Sequence, residues 1–275
     1  MSIKYTLCTA CDDSYFPGLE LMLRSLFKFN NFVGDIIVLD LGLSTNNKTL
    51  LDKYNIKYKG INEDNYTDIL DFVHKHHGYY TQSFKTIDCH NLNLNHRVVY
   101  MDCDLIITGD IMELFNSNIF ANGIWADKNR DFGFNKIFGP GFDRAVMILN
   151  PPYTSTKFYT KVIQNINKIL EYSTTHINEL YKLDIEDDAC MFNIEVNQLP
   201  EKFCRLLDIN RNLDKLKTKL IIETPLYKWW NNGDKLINQN KQNNVLESWI
   251  NINCVINSKK ESDALIKYLN LIGLK

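Results

Sequence analysis

The chain has 275 residues, 45% hydrophobic and 23% charged, a globular balance that excludes a disordered, collagen-like or coiled-coil protein. Thirty-one Lys and Arg against 33 Asp and Glu leave a net charge of −2, which argues against a nucleic-acid binder. No apolar run reaches the roughly 18 residues of a membrane helix, and the opening MSIKYTLCTACDD lacks the apolar stretch of a signal peptide.

In chain order, residues 3–8 form a short run of strand formers. Residues 18–29 follow with Leu19, Met22, Leu23, Leu26 and Phe27 at helical spacing. The run 35–41 (DIIVLDL) reads as a strand buried on both faces. A helix over 46–54 and a strand over 55–58 complete a β-α-β-α-β opening, which implies a parallel sheet with right-handed crossovers. Segment 81–95 reads as a helix leading into the strand 97–102, and 125–127 and 145–150 read as further strands. Residues 156–171 carry Tyr159, Val162, Ile163, Ile166 and Leu170 on one helical face. A final helix is expected over 258–272, opened by a Ser258–Glu261 capping box, after an Asn-rich surface loop over 231–244. The fold class expected is α/β: one domain over 1–275 with C-terminal elaborations.

The seven cysteines, an odd number scattered through the chain, fit reduced thiols in a cytoplasm better than a disulfide framework. The 33 Asn fit an A/T-rich genome. If that genome is viral, the compartment is the host cytoplasm.

The strand 97–102 runs into Asp102-Cys103-Asp104, two carboxylates at i and i+2, which strand alternation places on one side. Ligands of open α/β sheets bind beyond the carboxyl ends of strands. Paired carboxylates there suit an oxygen-preferring ion, Mn²⁺ or Mg²⁺. The plain alternative is two solvated aspartates ending a strand. Cys8 and Cys11 form a C-x-x-C, readable as a thiol redox pair or as two packed thiols. His74, His76 and His77 are either a metal cluster or, as preferred here, a solvated surface. Tyr227, Trp229 and Trp230 are either a stacking platform or core. Asp12 and Asp13 are expected to end the first strand and cap the turn before the helix.

The segment VVYMDCDLIITGDIMELF resembles the D-x-D region of the family 8 retaining glycosyltransferases, the glycogenin-like family with a GT-A type, Rossmann-like nucleotide-binding fold. The resemblance implies a mostly parallel central sheet with a C-terminal helical elaboration, a nucleotide-binding half at about 1–110 and an acceptor and sugar half at about 111–275. TLCTACDDSYFPGLELMLRSL (6–26) resembles the family's opening strand, turn and first helix. The resemblance implies that Tyr15 stacks on uracil while Thr9, Ala10 and Cys11 line the base. It implies a donor contact for Lys85, and nucleotide and metal contacts around Asp102, Cys103 and Asp104. Phe142-Asp143-Arg144-Ala145-Val146 stands where the family often has F-N-S-G-V, and Glu186-Asp187-Asp188-Ala189 stands at a G-D-Q type motif. Residues 219–230 resemble the C-terminal H-x-x-G-x-x-K-P-W motif, which gives Lys228 the phosphates and Asp188 the reacting sugar. The family histidine falls on Ile222, the motif glycine on Pro225, the proline on Trp229 and the glutamine on Ala189. Glu223 is the adjacent alternative as a metal ligand. The implied activity is transfer of a hexose, glucose first, from a UDP-sugar to a protein, glycan or lipid-linked acceptor, with a homodimer as one assembly. The alternatives are a catalytically impaired nucleotide-sugar-binding protein of the same fold and the Cys8/Cys11 redox protein.

Overall fold

The computed structural model describes residues 4–77, 82–128, 142–175, 194–204 and 220–223, with the backbone alone at 76–77 and 222–223. The contacts divide into two compact units, each drawn from three stretches of chain: 1–10, 34–102 and 113–200 in the first, and 11–33, 103–112 and 201–275 in the second.

The first unit holds a seven-stranded sheet. Its strands are β1 (Tyr5–Cys11), β2 (Asp35–Asp40), β3 (Lys57–Gly60), β4 (Arg97–Met101), β6 (Ile124–Asp127), β7 (Asp143–Leu149) and β8 (Val196–Gln198), in the order β3-β2-β1-β4-β7-β6-β8. The pairs β2–β3, β1–β4 and β6–β8 are parallel, while β7 runs antiparallel to β4 and β6. Every residue of β1 and of β7 is buried, as expected for central strands covered on both faces.

The expected β-α-β-α-β opening is present, with α1 (Phe16–Phe29) and α2 (Thr45–Lys53) between the strands. Ser44 caps α2 by accepting from the Asn47 N–H. Ahead of that cap, Asp40 closes β2 by accepting from the N–H groups of Gly42 and Leu43 at 3.0 and 2.7 Å. Gly42 has φ +124, a conformation that a side chain would strain. At the far end of α2, Asn55 has φ +56, a left-handed turn that Asn tolerates. That turn moves β3 two residues beyond the expected 55–58.

Two expectations are corrected. The sequence reading leaves 67–77 unassigned, yet it forms α3 (Thr67–His77), with His74 exposed upon it. Segment 81–95 is not an α-helix: Ser83–Asn91 is a nine-residue 3-10 segment. Phe84, Ile87 and Cys89 of this segment join the core beneath the sheet with Tyr66, Tyr100, Met147 and Val162. Val162 lies on α5 (Thr156–Thr175), which buries Tyr159, Ile166 and Ile169 as well; the expected Ile163 and Leu170 are partly buried against the same core.

The second unit contains α1, β5 (Leu105–Ile107) and β9 (Ile221–Glu223), with β5 and β9 antiparallel. The short α4 (Met112–Asn116) begins where the chain returns to the first unit. Leu19, Met22, Leu23 and Leu26 of α1 are buried as the spacing predicts, but Phe27 is 52% exposed and meets Phe32 edge-on. Polar ties join α1 to the strand beside it. Ser25 Oγ accepts from the Ile107 N–H at 3.0 Å, and Asn30 Oδ1 accepts from the Ile111 N–H at 2.7 Å. Buried backbone donors need such partners. The expected helix 258–272 and the loop 231–244 lie outside the described residues.

Candidate functional site

The strand order locates the site. From β1 the chain winds outward through β2 and β3, then returns to β4 on the other side of β1. Open α/β sheets bind ligands at such a reversal, outside the carboxyl ends of the strands. β1 and β4 are parallel, with Cys8 opposite Tyr100, so Thr9, Ala10 and Asp102 fall at one edge of the sheet.

Thr9 is fully buried, and its hydroxyl finds no hydrogen-bond partner among the described residues. Ala10 is buried beside it. Asp102 lies one residue beyond β4. Its N–H donates to the Ala145 carbonyl on β7 at 2.9 Å, and its Oδ1 accepts from the Tyr100 hydroxyl at 3.0 Å. Burial, with Asp102 nearby, raises the Tyr100 phenol well above its ordinary range, against the opposing charge of Arg144. The hydroxyl therefore stays a donor.

Lys85, on the 3-10 segment, has a side chain 5% exposed and places its ammonium 2.7 Å from Glu63 Oε1. Thr86, beside it, accepts from the Arg144 guanidinium at 2.9 Å. Asp143 and Arg144 are both buried, and Asp143 Oδ1 accepts from the Ala145 N–H at 2.9 Å. Asp88 Oδ1 accepts from the hydroxyls of Tyr66 and Tyr159, the latter at 2.7 Å.

In the second unit, Cys11 is buried and its thiol donates to the Asp12 carbonyl at 3.1 Å. Asp12 Oδ1 accepts from Ser14 Oγ and from the Tyr15 N–H, the turn-capping role expected of it. Tyr15 is half-buried at the N-cap of α1 and makes no side-chain cap. Cys103 and Asp104 are buried within a turn between β4 and β5. That turn corrects the sequence reading: strand alternation ends before Asp104. On the ladder, Ile222 pairs with Ile106 and Glu223 with Leu105. Asp188, Lys228, Trp229 and Trp230 lie outside the described residues.

Among the described residues no three His, Cys, Asp or Glu gather into a metal cluster. The Asp102 carboxylate just past the end of β4 fits as an oxygen ligand of Mg²⁺ or Mn²⁺, ions that keep waters and take substrate phosphates as other ligands. The redox alternative fits less well. Cys8 is fully buried in the core, and no disulfide is present among the described cysteines. Burial foremost, then Cys89, pushes its thiol well up, against the opposing charge of Lys59. A protonated thiol is a poor nucleophile.

Sequence reasoning missed Tyr100, although the signal was available: in Tyr100-x-Asp102 the two side chains share a strand face. It also missed the Asp88 network, whose partners are scattered from 62 to 159.

No curated protein sequence matches the chain significantly. Solved structures share its fold. The galactosyltransferase LgtC, in complex with donor and acceptor sugar analogues, is 14% identical with a TM-score of 0.58, over 89% of this chain and 95% of LgtC. The glycosyltransferase GlyE of Streptococcus pneumoniae TIGR4 is 16% identical with a TM-score of 0.55, over 90% of this chain and 62% of GlyE. The bifunctional WbbM is 15% identical with a TM-score of 0.57, over 96% of this chain and 52% of WbbM. The chain thus spans less than two thirds of GlyE and of WbbM. These likenesses establish a GT-A type fold. The family model named Glycosyl transferase family 8 matches residues 6–225, and with four fifths of its length inside that match the chain belongs to glycosyl transferase family 8.

Proposed function

We propose that this family 8 glycosyltransferase is a single GT-A catalytic domain that moves a hexose, glucose first, from a UDP-sugar with retention of configuration. The acceptor is a protein, glycan or lipid-linked sugar, and the working compartment is a cytoplasm. Among the described residues no helix is long and apolar enough to cross a membrane. The observation that carries the reading is Asp102 at the strand-order reversal, tied to β7 by its backbone and to Tyr100 by its carboxylate.

Asp102 and Asp104 would hold the divalent ion, which when bound offsets the negative charge that builds on the departing diphosphate. Lys85 presents an ammonium for the donor and has Glu63 to exchange for it. Lys228 meets the phosphates as a point charge, and Asp188 faces the reacting sugar. Tyr15 stacks on the base, and Thr9, Ala10 and Cys11 line it. Cys103 contacts the nucleotide between the two aspartates. Ile222 offers no lone pair, so Asp102 and Asp104 would share the ion with diphosphate oxygens, with Glu223 as the adjacent carboxylate that could add an oxygen.

One observation favours a second reading, a donor-binding protein with impaired turnover. Where relatives carry small polar residues, this chain buries Asp143 and Arg144 in bonds to Ala145 and Thr86. The test is sugar transfer and UDP-sugar hydrolysis with Mn²⁺, in the wild type and in Asp102→Asn and Asp104→Asn. Turnover that needs Mn²⁺ and falls at least a hundredfold in both variants supports the transferase. Tight UDP-sugar binding without turnover selects the second reading, and full turnover in a chelator removes the metal.

A further inference from the structure

We propose that Tyr100 is a positioning residue for the first carboxylate of the D-x-D. The proposal rests on the reading of Asp102 as an ion ligand. Tyr100 is among the largest fully buried side chains, at 1% exposed, and its ring belongs to the core cluster with Val98, Met147 and Phe84. Such a ring does not swing, so its hydroxyl is a fixed point. That hydroxyl donates to Asp102 Oδ1 at 3.0 Å. One residue past the end of β4, the Asp102 N–H still donates to the Ala145 carbonyl. Asp102 is therefore held twice, by its backbone through β7 and by its carboxylate through Tyr100.

The physical consequence is preorganisation. An aspartate just past the end of a strand has fewer rotamers to lose on ion binding when a fixed hydroxyl already holds one of its oxygens. A donor on a rigid ring leaves the carboxylate oriented as a ligand. Partners that orient ligands in this way typically change metal affinity 10–100-fold when removed.

The experiment is calorimetric titration of Mn²⁺ into the full chain with UDP present, for wild type, Tyr100→Phe, Asp102→Asn and the double variant. Phenylalanine keeps the ring and removes only the hydroxyl. Tyr100→Phe should weaken Mn²⁺ about 10–100-fold, and the double variant should bind no more weakly than Asp102→Asn alone. Asp102→Glu keeps the charge but carries the carboxylate past the fixed hydroxyl, and it should also weaken Mn²⁺ at least several-fold. A lowered melting temperature with unchanged Mn²⁺ affinity in Tyr100→Phe makes the contact merely structural and overturns the proposal. So does an equal loss from Tyr100→Phe with Asp102 already removed, or wild-type affinity in Asp102→Glu. No Mn²⁺ binding by the wild type, or binding untouched by Asp102→Asn, sinks the ion-ligand reading itself and the proposal with it.

Discussion

His90 is buried without a charge. Its Nδ1 lies 2.8 Å from the Tyr153 carbonyl oxygen, which can only accept, so Nδ1 carries the proton. Its Nε2 finds no partner among the described residues. Burial foremost, then the charge of Arg144, pushes its pKa down to about 3. The folded value lies below the ordinary value of 6.5, so the neutral ring's contribution is fully present above that ordinary value. It drains away as pH falls toward the folded value, at up to about 1.4 kcal/mol per pH unit. His90→Asn keeps an N–H near the Nδ1 position and does not titrate. Urea unfolding at pH 7, 5.5 and 4 should show the wild type losing more stability than this variant at each step. Equal losses would mean that His90 takes up a proton in the folded state. At this scale the sequence was half legible. Asp12 as a turn cap and Cys8 as a packed thiol follow from position and residue type. The burial of Arg144 does not, because its partner Thr86 lies 58 residues away.

Among the elements, the 3-10 segment departs furthest from expectation. Its composition allows an α-helix, but the 3-10 geometry stacks every third side chain on one edge. Phe84, Ile87 and His90 form one buried edge, and Lys85 and Asp88 belong to the next. Such runs seldom exceed three or four residues, so this one needs anchors. Asp88 is the central one, accepting from Tyr66, Tyr159 and the Asn62 N–H. Burial first, then Asp88, raises the Tyr66 phenol far beyond its usual range, and burial raises Tyr159 as well. Both therefore remain donors. Tyr159→Phe removes the bonds to Asp88, Asn65 and the Tyr66 hydroxyl and should cost about 1–2 kcal/mol in denaturant unfolding. Asp88→Ala removes the acceptor shared by the Tyr66 and Tyr159 hydroxyls and the Asn62 N–H and should cost about 3 kcal/mol. Equal, small losses would show that the segment is held by its apolar edge alone. Strands were easier to read than this segment, because β1, β2 and β4 are short runs dominated by apolar residues. The antiparallel sense of β7 was not readable, since a buried strand looks the same in either direction.

For the whole molecule, the alternation of strands and helices gave away a mostly parallel α/β sheet, and the order of motifs gave away the family. The division into two units was hidden, because each is assembled from three separated stretches. The nucleotide reading makes a prediction at this scale. In a thermal-shift panel with Mn²⁺, UDP and UDP-glucose should raise the melting temperature more than ADP or GDP. A ligand at 100 times its dissociation constant adds about 2.7 kcal/mol. Tyr15→Ala should weaken UDP by about 1–3 kcal/mol, the usual worth of base stacking on an aromatic ring. Equal shifts from all nucleotides would remove the uridine assignment.

The pairing of β1 with β4 has a kinetic consequence. Ile37 meets Lys57 across β2 and β3, a closure of only twenty residues. Cys8 meets Tyr100 only after a loop of about ninety residues closes, and closure entropy grows with loop length. Contacts so distant in sequence slow folding and tend to form late. A nascent chain carrying β1, β2 and β3 therefore has one flank of its central strand unpaired until β4 is made. The edge that brings Thr9 and Asp102 together is thus among the last parts of the sheet to assemble, and until then β1 exposes an apolar strand edge to which other chains can add.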